Sequence, residues 1–214
     1  MSRNIKISLA VIFVFCLALT AVFVVSRAGG DDSGDGQSAV VVRSDSQRLS
    51  APTDSKATFV EFLDFECEAC GAAYPAVEQL RQTYGDQVTF VVRYFPLPGH
   101  FNADRAARAV AAAASQGRFE AMYRKMFDTQ KQWGEQQVPL DDLFASYAQE
   151  LGLDTDQFAV DYNSPATRAL IDRDIADGKA LGVTGTPSFF INNEPIKPGS
   201  YDELNSALSS AMQQ

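Results

Sequence analysis

Apolar positions follow three different rhythms along the chain. From Ile7 to Val25 the run ISLAVIFVFCLALTAVFVV carries no charge and almost no polar residue. As a helix rising ~1.5 Å per residue, it is just long enough to cross a hydrocarbon layer ~30 Å thick. Ala57–Phe65 (ATFVEFLDF) and Gln87–Phe95 (QVTFVVRYF) are short, near-continuous apolar runs rich in β-branched and aromatic residues. That pattern predicts strands covered on both faces. Between them a helix is expected from about Cys67, with Ala72, Ala73, Val77 and Leu80 as its apolar stripe, a kink at Pro75 and a stop at Gly85. Strand, helix and strand make a βαβ unit, whose two strands run parallel.

From Asn102 to Leu181 the period becomes helical and Ala-rich, predicting helices at Ala103–Ser115, Phe119–Lys131, Leu140–Leu151 and Pro165–Leu181. Pro139 and Pro165 fall at expected first turns, Ser164 is an N-cap residue, and Gly152 and Gly182 are expected stops. Strand character returns at Ser188–Ile191, followed by an Asn192-Asn193 turn and a short strand near Ile196. Ser200-Tyr201-Asp202-Glu203 is a capping box opening a last helix through Ala211. The expected fold class is therefore α/β, with a helical insertion at about residues 100–177 and one N-terminal transmembrane helix.

The flanks of the first apolar run set its orientation. Arg3 and Lys6 precede it, whereas Arg27 is followed closely by Asp31, Asp32 and Asp35. This bias puts the amino terminus inside and the bulk of the chain outside. A cleaved signal peptide is the competing reading, but the run exceeds the ~7–15 residues of a usual signal core and no clean A-x-A site follows. Residues 1–27 are thus expected to be an anchor, with Cys16 an apolar residue of the span. Residues 28–38 (AGGDDSGDGQS) are expected to form an acidic, flexible tether. The tether region, 28–56, is completed by a short strand at Ala39–Arg43 and a polar loop at Leu49–Lys56; residues 57–212 form the domain proper.

Composition narrows the function. The chain has 214 residues, 18 basic against 27 acidic, for a net charge of −9. Since residues 1–30 contain three bases and no acid, the remainder is more acidic still. This balance argues against a nucleic-acid binder, which would need a basic face. A single histidine, His100, excludes His-rich metal sites and leaves a Ser-His-Asp site dependent on one residue. His100 sits in a Pro-Gly-His turn and is expected at the surface or in a capping role. Trp133 is expected to be partly packed, or to shape a substrate surface with its Gln-rich neighbours.

The sharp chemical feature is Cys67-Glu68-Ala69-Cys70, placed where a strand hands over to a helix. The unpaired amides and dipole of a helix N-terminus favour a thiolate at Cys67, while Cys70, one turn further in, can close a disulfide with it. One sulfur then enters a mixed disulfide and the other resolves it. Structural zinc wants about four ligands, and only His100 and carboxylates could complete the set. Haem attachment needs a His where Gly71 stands. A purely structural staple of so short a loop constrains little chain entropy. No cofactor or metal is implied.

A second motif, Gly182-Val183-Thr184-Gly185-Thr186-Pro187, precedes the strand at Ser188, a setting that tolerates a cis X-Pro bond. Together, VEFLDFECEAC early and GVTGTPSFFIN late resemble the thioredoxin superfamily. The intervening helices, and Phe95-Pro96-Leu97 leading into ADRAARAVAAAA, look like its DsbA-like branch. The resemblance covers about 57–212. It implies a nucleophilic Cys67, a resolving Cys70, and a cis-proline loop of Gly185, Thr186 and Pro187 that meets the peptide substrate. It also implies that Glu61 is a buried acid exchanging protons with the inner cysteine, although a solvent-facing Glu61 is the plainer alternative. The family's strong oxidants carry His between the cysteines; here Glu68-Ala69, with Glu66 before them, would oppose the thiolate and make a milder oxidant.

The function so implied is a cell-membrane-anchored, extracytoplasmic thiol:disulfide oxidoreductase. Its substrates would be exported proteins with cysteines, its redox partner a membrane protein that resets the active site, and its expected direction disulfide donation. A reductase or isomerase of the same fold, or a peptide-binding, chaperone-like module with a passive disulfide, are the alternatives.

Overall fold

The computed structural model describes residues 39–214. The anchor, the acidic tether and Cys16 lie outside the described residues. Among the described residues, no helix is long and apolar enough to cross a membrane.

Among the described residues, five strands and seven helices follow in the order β1 (Gln47–Ser50), β2 (Ala57–Leu63), α1 (Glu68–Tyr84), β3 (Val88–Tyr94), α2 (Ala103–Ser115), α3 (Phe119–Trp133), α4 (Asp141–Glu150), α5 (Thr155–Tyr162), α6 (Pro165–Ala180), β4 (Ser188–Ile191), β5 (Glu194–Ile196) and α7 (Tyr201–Ala211). The sheet order is β1-β3-β2-β4-β5. β2 and β3 pair in parallel, with Phe59 opposite Phe90 and Glu61 opposite Val92. The other pairs are antiparallel.

Alternation along β2 decides what meets each sheet face. Phe59 and Leu63 join the larger apolar cluster with Val77 and Leu80 of α1, the alanines of α2, and Leu204 and Leu208 of α7. Val60 and Phe62 point the other way, to Val91, Phe95, Phe190 and Val41. Glu61 shares its parity with Phe59 and Leu63, so the strand itself delivers this acid to the side on which α1 lies.

Two expectations at the amino-terminal end are corrected. Ala39–Arg43 is not a strand. The carbonyls of Val40 and Val41 accept hydrogen bonds from the Arg93 guanidinium, at 3.0 and 2.7 Å, instead of joining a ladder. Arg43 pairs with Asp177 at 2.6 Å. The strand lies a few residues later, at Gln47–Ser50, overlapping the expected polar loop and pairing with β3 through a bulge between Arg48 and Ser50. As an edge strand it buries little but Leu49, so its sequence lacks the apolar density that marks β2 and β3.

The insertion contains a helix more than expected. α5 is only eight residues long, too short for a clear helical period, and its start is capped by Asp154, which accepts from Gln157 N at 2.9 Å. Gly152 and Gly182 do end helices, with φ of 71° and 84°. Ser164 and Ser200 cap α6 and α7 as their sequence context suggests. Trp133 is fully buried rather than surface-shaping. Its ring meets the Phe144 ring edge-on at 5.2 Å, and its Nε1 donates to the Met126 carbonyl.

Candidate active site

Cys67 is the N-cap residue of α1, extended at φ −66° and ψ 120°, with no side chain capping the helix. Its carbonyl accepts the Gly71 amide at 3.0 Å, the first turn of the helix. The N-terminal amides are thereby left facing the sulfur. Cys67 is 7% exposed and Cys70 is fully buried; both are free thiols. Thr186 and Pro187 come from the loop before β4, joined by a cis peptide bond. The Cys67 thiol donates to the Thr186 carbonyl at 3.4 Å, which brings the two sequence motifs together.

The two cysteines are electrostatically unequal. A hydrogen bond from the Cys70 thiol, with further help from the Thr186 side chain and the amides of Cys70 and Ala69, draws the Cys67 pKa down from 9.0 to about 5 against desolvation. Burial, the Cys67 thiol and the Glu61 charge push Cys70 well above the ordinary thiol range. Glu61 is 3% exposed, so the solvent-facing alternative is overturned. Desolvation, then the charges of Cys67 and Glu78, raise its pKa to about 8. Hydrogen bonds at the sulfur, rather than Glu66 or Glu68, dominate the Cys67 shift. Glu68 is exposed, whereas Glu66 is buried and its Oε2 accepts the Asn102 amide at 2.6 Å.

The loop before Cys67 is built on residues that sequence reading passed over. Buried Asp64 accepts from the Glu66 amide at 2.8 Å and the Leu97 amide at 2.9 Å. It also meets His100 Nδ1 at 2.5 Å. His100, expected as a surface or capping residue, is therefore fixed beside the site. From α3, Gln130 Nε2 donates to the carbonyls of Phe65 and Cys67, both at 2.8 Å. Gln130 approaches α1 so closely that a Cβ at Gly71 would overlap its amide. In sequence Gln130 is one polar residue among several on α3, and nothing marks it as the inward one.

A family model described as thioredoxin matches residues 48–210. The chain belongs to the thioredoxin family. A thioredoxin-like oxidoreductase from Silicibacter pomeroyi DSS-3 is 28% identical, with a TM-score of 0.69 over 80% of this chain and 95% of that one. BdbD from Bacillus subtilis shares the thioredoxin-like fold at 19% identity, with a TM-score of 0.70 over 79% of this chain and 94% of that one. The solved neighbours are DsbA-like members of the thioredoxin superfamily, and the chain has their fold. In sequence, it is 38% identical over 154 residues to a Na(+)/H(+) antiporter, NhaA, of Herminiimonas arsenicoxydans; the match covers 72% of this chain. The chain spans only about a quarter of the length of the curated relatives it matches.

The acidic Cys67 has a consequence for stability. Its folded pKa lies below the ordinary thiol value, so the thiolate stabilises the folded dithiol form above that value, and this is lost as pH falls toward about 5. The disulfide form has no such group. Glu61 acts in the opposite sense in both forms, and its desolvation part cancels in a comparison. The dithiol form is therefore expected to gain stability relative to the disulfide form between about pH 5 and pH 9. Urea unfolding of both forms across that range measures it; a flat or falling difference would contradict the thiolate.

Proposed function

We propose that the protein is a membrane-anchored thiol:disulfide oxidoreductase, working outside the cytoplasm as a disulfide donor to exported proteins. The observation that carries this reading is the inequality of the two cysteines. Cys67 is an acidic thiol at a helix N-terminus under the Thr186-Pro187 loop, and Cys70 is a buried, protonated one near Glu61.

In the working cycle, a substrate thiolate attacks the Cys67 sulfur of the Cys67–Cys70 disulfide. The new bond is a mixed disulfide to Cys67, and the bond that breaks releases Cys70 as a thiolate. Glu61, protonated at neutral pH, is the proton donor for that thiolate. A second substrate thiolate then attacks the substrate sulfur and expels Cys67, whose low pKa makes it a good leaving group. The substrate loses two electrons and gains a disulfide, and the enzyme is left as the dithiol. A membrane redox partner would take those electrons and restore the disulfide. The loop of Gly185, Thr186 and Pro187 would hold the substrate backbone by strand addition.

Support for donation comes from the Cys67 shift, because a stabilised thiolate stabilises the reduced form and raises the potential. Disulfides persist outside the cytoplasm, which suits an exported domain. That Na(+)/H(+) antiporters contain a segment like this one supports a place at the membrane, as does the apolar run at residues 7–25.

The equilibrium reduction potential of the Cys67–Cys70 pair, together with turnover of a dithiol peptide, tests the reading. A donor is expected at about −120 to −180 mV. A value near −250 mV or lower, with turnover retained, would replace it by a reductase, the direction toward which Glu68-Ala69 was expected to pull. Absence of turnover would leave a binding module with a passive disulfide.

A further inference from the structure

Next to Cys67 lies a cavity of about 230 Å³ lined by Glu66, Glu68, Gly99, His100, Glu135 and Gln137. Three carboxylates thus face one imidazole, and that imidazole is already engaged with Asp64. Glu68 and Glu135 lie close enough for the Glu135 carboxyl to be raised above its ordinary range, first by hydrogen bonding with Glu68 and then by its charge.

Glu66 is the unusual member. It is only 2% exposed, yet its Oε1 is buried without a hydrogen-bond partner while Oε2 takes the Asn102 amide. Burial raises the Glu66 carboxyl above its ordinary range, with the amides of Asn102 and Glu135 acting against that, and Oε1 itself makes no hydrogen bond. A buried carboxylate oxygen left unpaired is costly, and a donor supplied from the cavity would remove the deficit. Glu66, Glu68 and Glu135 also line a larger adjoining groove of about 750 Å³, with an aromatic wall of Tyr74 and Phe127; there Asp128 adds a fourth acid and Lys131 is the single base.

The surroundings add an apolar element. Phe101 and Val138, 39% and 54% exposed, are two of the three exposed large hydrophobic residues among the described residues. They stand on the two loops that bring Gly99–His100 and Glu135–Gln137 to the cavity. Asn102 staples those loops together, its Nδ2 donating to the carbonyls of Gln136 and Val138 at 2.9 and 3.1 Å. Nearby Arg105 is occupied, paired with Asp141 and stacked over the Phe101 ring.

We propose that this cavity is a substrate subsite for a lysine or arginine side chain close to the reacting cysteine, with an apolar neighbour resting on Phe101 and Val138. The inference deepens the oxidoreductase reading and rests on it for the identity of the ligand as a cysteine-containing peptide. Charge complementarity chooses the occupant: an acidic hollow with an unpaired buried acceptor suits a long cation that can bury its stem and donate several hydrogen bonds.

Peptides identical except for Lys, norleucine or Glu beside the cysteine test it. With the cysteine replaced by serine, binding to the disulfide form is read by fluorescence anisotropy, independently of redox chemistry. The Lys peptide is expected to bind about 10-fold more tightly than the Glu peptide at low salt, with the gap closing to about 2-fold near 0.5 M salt. Norleucine should fall between them. In the Glu68→Gln/Glu135→Gln double variant the Lys-to-Glu ratio should collapse toward one. Because it is a ratio, a change in Cys67 acidity or in overall affinity drops out.

Equal affinities in the wild type, norleucine matching Lys, no measurable binding, or an unchanged ratio in the double variant would each overturn the subsite. The cysteine-containing peptides then separate this proposal from the function beneath it. Selective binding of the serine peptides without oxidation of the cysteine peptides would keep the subsite and remove the oxidoreductase; oxidation without selectivity would do the reverse.

Discussion

Replacing Cys67 by serine is expected to lower the oxidation of a dithiol peptide by about 1,000-fold or more, to the uncatalysed rate. Cys67 is both the sulfur attacked and the group later expelled, and a hydroxyl serves neither role at neutral pH. Cys70→Ser is expected to behave differently. It leaves the acidic Cys67 in place but removes the thiol that resolves unproductive encounters and closes the enzyme disulfide. Exchange with an activated mixed disulfide should therefore stop at a covalent adduct on Cys67, visible by mass spectrometry and reversed by reductant. In Cys70→Ala, which removes the donor altogether, the Cys67 pKa should also rise, because the Cys70 thiol supplies the largest contribution holding it down. Full activity in Cys67→Ser, or the absence of an adduct in Cys70→Ser, would refute the assignment of roles.

The largest effect on stability is expected from Arg93. This guanidinium is fully buried and its Nη2 meets Asp174 at 2.8 Å and Asp177 at 2.5 Å, while Nη1 holds the Val40 and Val41 carbonyls. Arg93→Met keeps the apolar stem but removes the cation shared by the two buried carboxylates. Asp177 retains Arg43, whereas Asp174 keeps only the Tyr94 amide at 3.0 Å. Breaking a buried pair in this way costs about 3–5 kcal/mol, and the urea midpoint should fall accordingly. Asp174 without its cation should hold its proton to higher pH, so the deficit should shrink as pH falls through the carboxylate range. Arg93→Met/Asp174→Asn should recover part of the loss. A single variant within about 1 kcal/mol of the wild type would show that the pair contributes little beyond what packing supplies.

Elements with strong local signals were legible without coordinates. β2, β3 and α2 follow from apolar runs and Ala-rich helical period, and Ser164, Ser200, Gly152 and Gly182 mark helix ends by chemistry that acts within a few residues. β1 and α5 are not legible in this way because each is short and stabilised by what it packs on or pairs with rather than by a strong pattern of its own. The engagement of His100 depends on Asp64, 36 residues away, and the burial of Trp133 on how the following helix folds back to bring Phe144 against it.

By itself, the sequence determined that this protein carries a redox-capable cysteine pair at the start of a helix and a predominantly α/β frame. These depend on residue identity and on spacing over one or two helical turns. Only the tertiary structure decided that Cys67 touches Thr186, that Glu61 is enclosed on the α1 side of the sheet, and that Gln130, Asp64 and His100 fix the loop around the sulfur. It also decided that Glu66 is a buried carboxylate with a free oxygen rather than a solvated charge. Burial and pairing are set by segments far apart in sequence, and it is burial that turns ordinary carboxyls and thiols into groups with shifted acidity.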